Sequence, residues 1–162
     1  MSLLEFMQWL ETTSVSTGIR ESTLAFPVIE GSHVLALGLS VGTIVALDLR
    51  LMGWGMKKTP VSVIFEQLRP WSLLGFAIMF VTGILLFWSE PVKCYRTGSF
   101  ILKMVFLLGT GINAMIFDRT VYPSVAGWDT AAVVPSRARM AGYTSLFLWA
   151  GVIFCGRWTA YF

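Results

Sequence analysis

Residues 26–53, FPVIEGSHVLALGLSVGTIVALDLRLMG, decide the fold, because they stay apolar for longer than a helix in a soluble core requires. A helix needs roughly 20 apolar residues to cross a hydrocarbon layer about 30 Å thick. Over the chain, 56% of the 162 residues are hydrophobic, 13% are charged and the mean hydropathy is +0.72. Because soluble domains carry about 25% charged residues, this composition predicts an integral membrane protein.

Four segments are long and apolar enough to span a membrane, at about residues 23–47, 71–88, 99–117 and 138–161. Ser22 is expected to cap the first span, and Pro70 to precede the second. Before them, residues 2–12 place apolar side chains at helical spacing, which predicts an amphipathic helix that lies at the membrane surface or packs on the bundle. Short connections make successive spans antiparallel. We therefore expect one all-α membrane domain over residues 1–162, an up-down bundle of four transmembrane helices with an N-terminal interfacial helix.

Orientation in the membrane follows from the basic residues, which favour the cytoplasmic side. The connections between spans one and two and between spans three and four hold the larger group, Arg50, Lys57, Lys58, Arg69, Arg119, Arg137 and Arg139. When acidic residues are counted as well, the whole net charge of +3 falls on this side. We refer to it as the basic side and predict that it is cytoplasmic, with both termini on the opposite, outer side.

Ionisable residues in the outer third of the spans are the first candidates for chemistry. A charged side chain at the centre of a membrane helix costs roughly 2.5–3.5 kcal/mol on insertion scales, so such groups are expected to have partners. Glu30 and His33 are three residues apart on span one, Lys103 is one turn into span three, and Arg157 is near the outer end of span four. We expect a buried network in which a cation neutralises Glu30 and His33 hydrogen-bonds nearby. The alternative is that Lys103 and Arg157 simply reach the interface.

Three further polar or small-residue features lie deeper in the spans. Asn113, in mid-membrane, is expected to hydrogen-bond across a helix pair, with Ser145 as a candidate partner. Asp48 is expected to pair at the headgroup level with Arg119, Arg137 or Arg139. Gly38 and Gly42 form a small-xxx-small pattern that serves either packing within the bundle or a contact between copies of the chain.

His33 is the only histidine, and its role divides into three hypotheses. It is a structural hydrogen-bonding residue, a ligand of haem b or copper, or part of a quinone or proton-relay site. Haem ligation by two histidines would need a second copy, whereas one chain offers His33 with a methionine such as Met79 or Met104. The candidate cofactor-binding residues are therefore His33, Glu30, Lys103, Asn113 and Arg157, with His33 as the candidate metal ligand.

Several other classes of function are not indicated. The chain has no Ser-His-Asp set, HExxH, phosphate-binding loop or dinucleotide fingerprint, so we predict no catalytic residues and no enzyme activity of the chain alone. It also has no basic run with interleaved aromatics, so nucleic acid is not an expected partner. The cysteines, Cys94 and Cys155, lack a CxxC relation, and we expect two thiols, with a disulfide as the alternative.

The order FMQWLE, IRES, FPVIEGSHVLAL, DLRLMG, RPW, GFA, RMAG and GRW along the chain resembles a family of small four-helix bacterial inner-membrane proteins, catalogued as a domain of unknown function. The likeness covers nearly the whole chain and is strongest from Glu30 to Gly53 and at Gly156 to Trp158. It implies the four-helix fold and the inner membrane of a bacterium, and hence periplasmic termini. A looser likeness, a histidine early in a helix before a glycine-bearing stretch, is to copper-resistance D-type membrane proteins and b-type cytochromes, and it points to His33.

These observations predict an accessory or anchor subunit associated with a membrane redox system and electron transfer, with a haem, quinone or copper site around His33. The alternative is a purely structural scaffold or assembly subunit without a cofactor. A third hypothesis is transport of a small solute or a proton by an oligomer. The expected partners are the lipid bilayer and either other membrane subunits or further copies of the chain.

Overall fold

The chain is helical along most of its length. A computed structural model describes residues 2–131, 133–159 and 161. Over these residues it contains seven α-helices: α1 Leu3–Glu11, α2 Ser14–Glu21, α3 Ala25–Met52, α4 Val61–Ser89, α5 Pro91–Arg96, α6 Gly98–Ile116 and α7 Ser136–Thr159. A π-helical turn over Phe117–Val121 and a 3₁₀ turn over Tyr122–Gly127 continue α6. Residues 1, 132, 160 and 162 belong to the predicted domain, and 160 to the fourth predicted span, but they lie outside the described residues.

Four of these helices are long and apolar enough to cross a membrane: α3, α4, α6 with its continuation to Gly127, and α7. They fall on the four predicted spans, and the all-α membrane fold is confirmed. The predicted cap is also present, because the Ser22 hydroxyl oxygen accepts a hydrogen bond from the Ala25 amide, in the first turn of α3, at 3.0 Å. At its other end α3 stops at Gly53, whose φ of 80° is the left-handed conformation that favours glycine after a helix.

The start of the second span differs from the prediction. Helix α4 begins at Val61, ten residues before Trp71, and Pro70 lies inside it. The reason is a cap from a distant part of the chain. The Asp129 carboxylate accepts the Ser62 amide at 2.8 Å and the Ser62 hydroxyl at 2.6 Å. Free amides in the first turn of a helix need such acceptors, so this loop fixes where α4 begins.

The helices do not pack in their order along the chain. Helix α3 packs against both α4 and α7, and α7 packs against both α3 and α6. The first and last spans are therefore the central pair, and α4 and α6 lie at the edges. Two apolar clusters fill the interior. One is at the basic side around Leu51, Phe65 and Trp128, and the other is at mid-height around Val41 and Trp149.

Glycines set the closest helix approaches, but not the glycines that the sequence singled out. A Cβ at Gly75 of α4 would lie 2.8 Å from Ser40 Cβ and 2.9 Å from the Ala36 carbonyl oxygen of α3. Gly38 and Gly42 are exposed, and a Cβ at either would meet nothing within 4 Å. Packing within the bundle is therefore the wrong interpretation of this pair, and a contact between copies stays a prediction.

The N-terminal helix combines the two expected roles. Helix α1 begins with a capping box, in which the Ser2 amide donates to the Glu5 carboxylate at 2.8 Å and the Glu5 amide donates to the Ser2 hydroxyl oxygen at 3.2 Å. It packs chiefly on α5. None of its residues is buried, and Leu3 and Trp9 are more than half exposed. This apolar surface is available to a lipid interface.

Candidate functional site

His33 projects from α3 towards α4, where its ring meets a threonine. His33 Nδ1 and Thr82 Oγ1 are 2.9 Å apart. The Thr82 hydroxyl donates its single proton to the Ile78 carbonyl oxygen at 2.7 Å. Because a hydroxyl has one proton to give, we assign the proton between the two side chains to His33, whose Nδ1–H donates to Thr82 Oγ1. The Met79 carbonyl oxygen, another acceptor, also faces the ring. In the neutral ring, Nε2 then carries the lone pair.

The imidazole fits against α4 because position 83 has no side chain. A Cβ at Gly83 would lie 3.3 Å from His33 Cε1 and 3.8 Å from His33 Nδ1. The first of these separations is tighter than an ordinary van der Waals contact. Gly83 and Thr82 therefore position the ring together, one by leaving space and the other by a hydrogen bond.

Lys103, on α6, is the charged neighbour of His33. Its side chain runs along α7, so that a Cβ at Gly156 would lie 3.8 Å from Lys103 Cδ and 3.9 Å from Lys103 Nζ. Its charge is close enough to act on His33 and on Cys94 of α5. Among the described residues its ammonium has no hydrogen bond and no ion pair. Among the predicted site residues, Lys103 is therefore near enough to His33 for its charge to act through space, although no hydrogen bond joins the two within the described residues.

Glu30 and Arg157 are not part of this cluster. Glu30 is exposed and forms no ion pair within the described part of the chain, so the expected neutralised carboxylate is wrong. Three residues along a helix turn the side chain by about 60° from its starting direction, and this is enough to point Glu30 outward while His33 faces α4. Arg157 is also exposed, with its guanidinium 5.9 Å from the centre of the Tyr161 ring.

Asn113 lies elsewhere in the bundle. Its Nδ2 donates to the Ala141 carbonyl oxygen of α7 at 3.1 Å. The expected bond across a helix pair is confirmed, but the expected partner Ser145 is wrong. Ten residues separate Asn113 from Lys103 on α6, a distance of about 15 Å along a helix. Asn113 therefore joins α6 to α7 and does not belong to the site at His33.

Asp48 is a polar residue whose surroundings the sequence did not reveal. It is 4% exposed on α3, and its Oδ2 has no hydrogen-bond partner among the described residues. The Ser145 hydroxyl of α7 faces its carboxyl group. The expected ion pair with Arg119, Arg137 or Arg139 is wrong, because these three side chains are exposed and Asp48 points into the α3–α7 contact.

Arg50 forms a second buried polar contact that sequence reasoning missed. It is 2% exposed, its Nε donates to the Thr59 carbonyl oxygen at 2.9 Å, and its Nη2 donates to the Asp129 carbonyl oxygen at 3.3 Å. Burial alone would raise the pKa of Asp129, but the hydrogen bonds from Ser62 and Val61 and the Arg50 charge outweigh it and lower this pKa. The group ties two loops at the basic side together and has a structural role.

The cysteines and potential metal ligands are dispersed. Cys94 and Cys155 are both buried free thiols, as expected, and no disulfide joins them. Burial, with a smaller effect of Glu90, raises the pKa of the Cys94 thiol to about 11. Among the described residues no group of three or more His, Cys, Asp or Glu side chains is placed to hold a metal ion. Any metal at His33 would need ligands from a cofactor, a methionine or another chain.

Comparison with known proteins gives one match. The sequence model of a family described as "Family of unknown function (DUF6644)" matches residues 6–162. No curated protein and no solved structure matches the chain.

Proposed function

The chain belongs to the DUF6644 family of unknown function, and we propose from the site itself that it is an accessory or anchor subunit of a membrane redox system, with His33 as a ligand of haem b. The site is in the half of the bundle away from the basic side, between α3, α4 and α6, and its outer position is part of the proposal. Its inner-membrane setting and its association with other membrane subunits or further copies are part of the same proposal.

The observation that carries this proposal is the assignment of the two ring nitrogens. Histidines that bind metals usually donate their second N–H to an oxygen, which fixes the tautomer and aims the other nitrogen at the metal. In His33 the Nδ1–H is held by Thr82 Oγ1 at 2.9 Å, and Nε2 has the lone pair. Leaving a polar atom without a partner in an apolar setting is costly, so this nitrogen favours a bound electrophile or donor.

Lys103 supports haem over a metal bound by protein groups alone. A haem carries carboxylates at its edge, and an ammonium that lacks a partner would pair with one of them. The iron would need a further protein ligand; Met79 is buried on α4, but its backbone carbonyl oxygen, and not its thioether, is the group that faces the His33 ring. The alternative source is His33 of a second copy. Axial ligation of either kind occurs in electron-transfer haem proteins.

Absorbance spectroscopy of the chain purified in detergent from its native membranes tests this proposal. We expect a Soret band with redox-dependent visible bands, and one haem for each chain or for each pair of chains by pyridine haemochrome. His33→Gln should abolish the bands. Thr82→Val, which removes the hydroxyl but keeps the shape, should weaken haem retention by about 10–100-fold. Arg157→Gln is the matched control and should leave the spectrum unchanged.

The outcomes separate the cofactors. A wild-type protein without a Soret band would overturn haem binding, and metal analysis with quinone extraction of the same sample would then test copper and quinone. A quinone cofactor would fit the same two groups. The hydroxyl of its reduced form would donate to His33 Nε2, and the carbonyl oxygen of its oxidised form would accept from Lys103. A protein that retains none of the three would contradict the cofactor site as a whole.

A second candidate, a structural scaffold without a cofactor, is favoured by the position of the His33–Thr82 bond. This bond joins α3 to α4, the same pair that approaches closely at Gly75. If the bond only holds the helices together, His33→Gln, whose amide can still donate to Thr82, should leave both assembly and redox activity intact. Loss of redox activity in a folded His33→Gln protein would exclude this candidate.

A further inference from the structure

A groove at the basic side is lined by residues that are not part of the site at His33. It runs between α6, with its continuation, and α7. The lining has a polar part at the mouth, formed by Thr120, Ser136 and Arg137, and an apolar part next to it, formed by Ile116, Val121 and Met140. Two polar residues, Asn113 and Thr144, line its deeper end.

The two parts are ordered along the membrane normal. On α7, Arg137 lies at the start of the helix, Met140 is one turn further in, and Thr144 is one turn beyond it. Seven residues of helix cover about 10 Å. The cationic end is therefore at headgroup depth, and the apolar side chains of Ile116 and Met140 lie about one turn further in, which is the order of headgroup and acyl chain in a phospholipid.

Charge at the groove mouth is positive and uncompensated. Arg137 is exposed and has no ion pair within residues 2–131, 133–159 and 161, and the same holds for Arg119 and Arg139. The carboxylate of Asp118 is already 3.8 Å from Arg69 Nη2. Basic pockets between transmembrane helices bind the headgroups of anionic lipids.

We propose that this groove binds one anionic phospholipid of the adjacent leaflet. Its phosphate is held by the Arg137 guanidinium, which matches two phosphate oxygens with parallel N–H donors. One acyl chain lies along Ile116 and Met140. The site does not depend on the function proposed for His33, and its ligand is a lipid of the bilayer and not a free phosphate, because inorganic phosphate would leave the apolar wall uncovered.

Native mass spectrometry and thermal unfolding, each with phosphatidylglycerol or phosphatidylcholine added to the detergent-purified chain, test the proposal. The wild type should retain phosphatidylglycerol in preference to phosphatidylcholine, and only phosphatidylglycerol should raise its melting temperature. Arg137→Gln should weaken phosphatidylglycerol retention by about fivefold, the contribution of one basic residue near an anionic surface. Arg139→Gln is the matched control, because it removes the same charge two residues away, outside the groove lining.

A third variant tests the apolar wall. Met140→Trp places a larger side chain over the acyl position and should reduce retention of phosphatidylglycerol while Arg137 is still present. Equal retention of the two lipids by the wild type would overturn the proposal. So would equal losses in Arg137→Gln and Arg139→Gln, because they would indicate a general surface charge effect, and so would full retention by Met140→Trp. Stabilisation by inorganic phosphate alone, at the level reached with phosphatidylglycerol, would overturn the choice of a lipid.

Discussion

Replacing Gly75 by alanine is expected to destabilise the bundle, because α3 lies against α4 with no room for a methyl group at this position. The added Cβ would be 2.8 Å from Ser40 Cβ, 2.9 Å from the Ala36 carbonyl oxygen and 3.0 Å from the Ser40 amide nitrogen. Two of these atoms are backbone, so rotation of a flexible side chain cannot relieve the overlap. The helices would have to separate by several tenths of an ångström.

The cost follows from what the separation disturbs. Overpacking a tight contact costs about 1–3 kcal/mol. The 3.1 Å bond from the Ser40 hydroxyl to the Ser72 carbonyl oxygen crosses the same contact and would lengthen. Alanine is a better helix former than glycine by about 1 kcal/mol in soluble helices, which offsets part of the loss. We expect Gly75→Ala to lower the free energy of unfolding by about 0–2 kcal/mol in net terms, which is about 1–3 kcal/mol below an alanine that gains the same helix propensity without the overlap.

The assay is reversible unfolding in mild detergent by increasing sodium dodecyl sulfate, followed by tryptophan fluorescence. Trp149, 3% exposed at the centre of the bundle, reports on the loss of packing. Gly42→Ala is the matched control, because a Cβ there meets nothing within 4 Å, so it gains the helix propensity alone and should raise the free energy of unfolding by up to about 1 kcal/mol. If Gly75→Ala proved as stable as Gly42→Ala, the close approach of α3 and α4 would be refuted.

Three more predictions use groups away from this contact. Asp48→Asn should raise the free energy of unfolding by about 1–3 kcal/mol, because it replaces a buried ionisable group by a neutral amide of the same shape; a loss of stability in the same detergent titration would contradict this. The pKa of Asp129 is lowered in the folded protein, so its stabilisation should be present above the ordinary carboxyl pKa of about 3.9 and be lost as the pH falls through the folded value. Wild type and Asp129→Asn should accordingly differ in stability at pH 7 and converge in acid, and a constant difference would argue against the linkage. Cys94, with a thiol pKa of about 11, should resist alkylation by iodoacetamide at pH 7.5 in the folded protein and react readily after unfolding, and mass spectrometry of the labelled peptide would reveal any early reaction.

The spans could be predicted from the sequence because apolar length is a local property. The run from Phe26 onwards exceeds the thickness of the hydrocarbon layer by itself, whatever it packs against. The start of α4 could not be predicted in this way. Its cap comes from Asp129, 67 residues away from Ser62, and Pro70 gave a plausible local boundary that the chain does not use.

The depth of the site residues in the bundle could be predicted from the sequence, but the direction in which each side chain points could not. Counting residues placed His33 and Lys103 at the same level, and in the structure the Lys103 charge acts on His33 through space. The same count grouped Glu30 with them, although it faces outward. Which side of a helix faces the bundle depends on the helices that pack against it. The spatial order α4, α3, α7, α6 cannot be read from the sequence of any single span.

Buried charge was the hardest feature to anticipate. Arg50 was counted among the residues that orient the chain, yet it is enclosed and bonded to the carbonyl oxygens of Thr59 and Asp129. Composition rules treat a basic residue beside a span as solvated. These rules do not account for a loop that folds back and supplies hydrogen-bond acceptors to the basic side chain.

The contact between α3 and α7 joins the two of the four described spans that are furthest apart in the order of synthesis. During biosynthesis α3 and α4 can pair as soon as both have entered the bilayer, whereas α6 finds its main packing surface only when α7 follows it. Until then the side of α3 that bears Asp48 lies open to lipid. A nascent chain arrested before Ser136 would therefore hold one paired set of helices, α3 with α4, and an α6 without its main packing partner, and the bundle is completed only when α7 has been inserted.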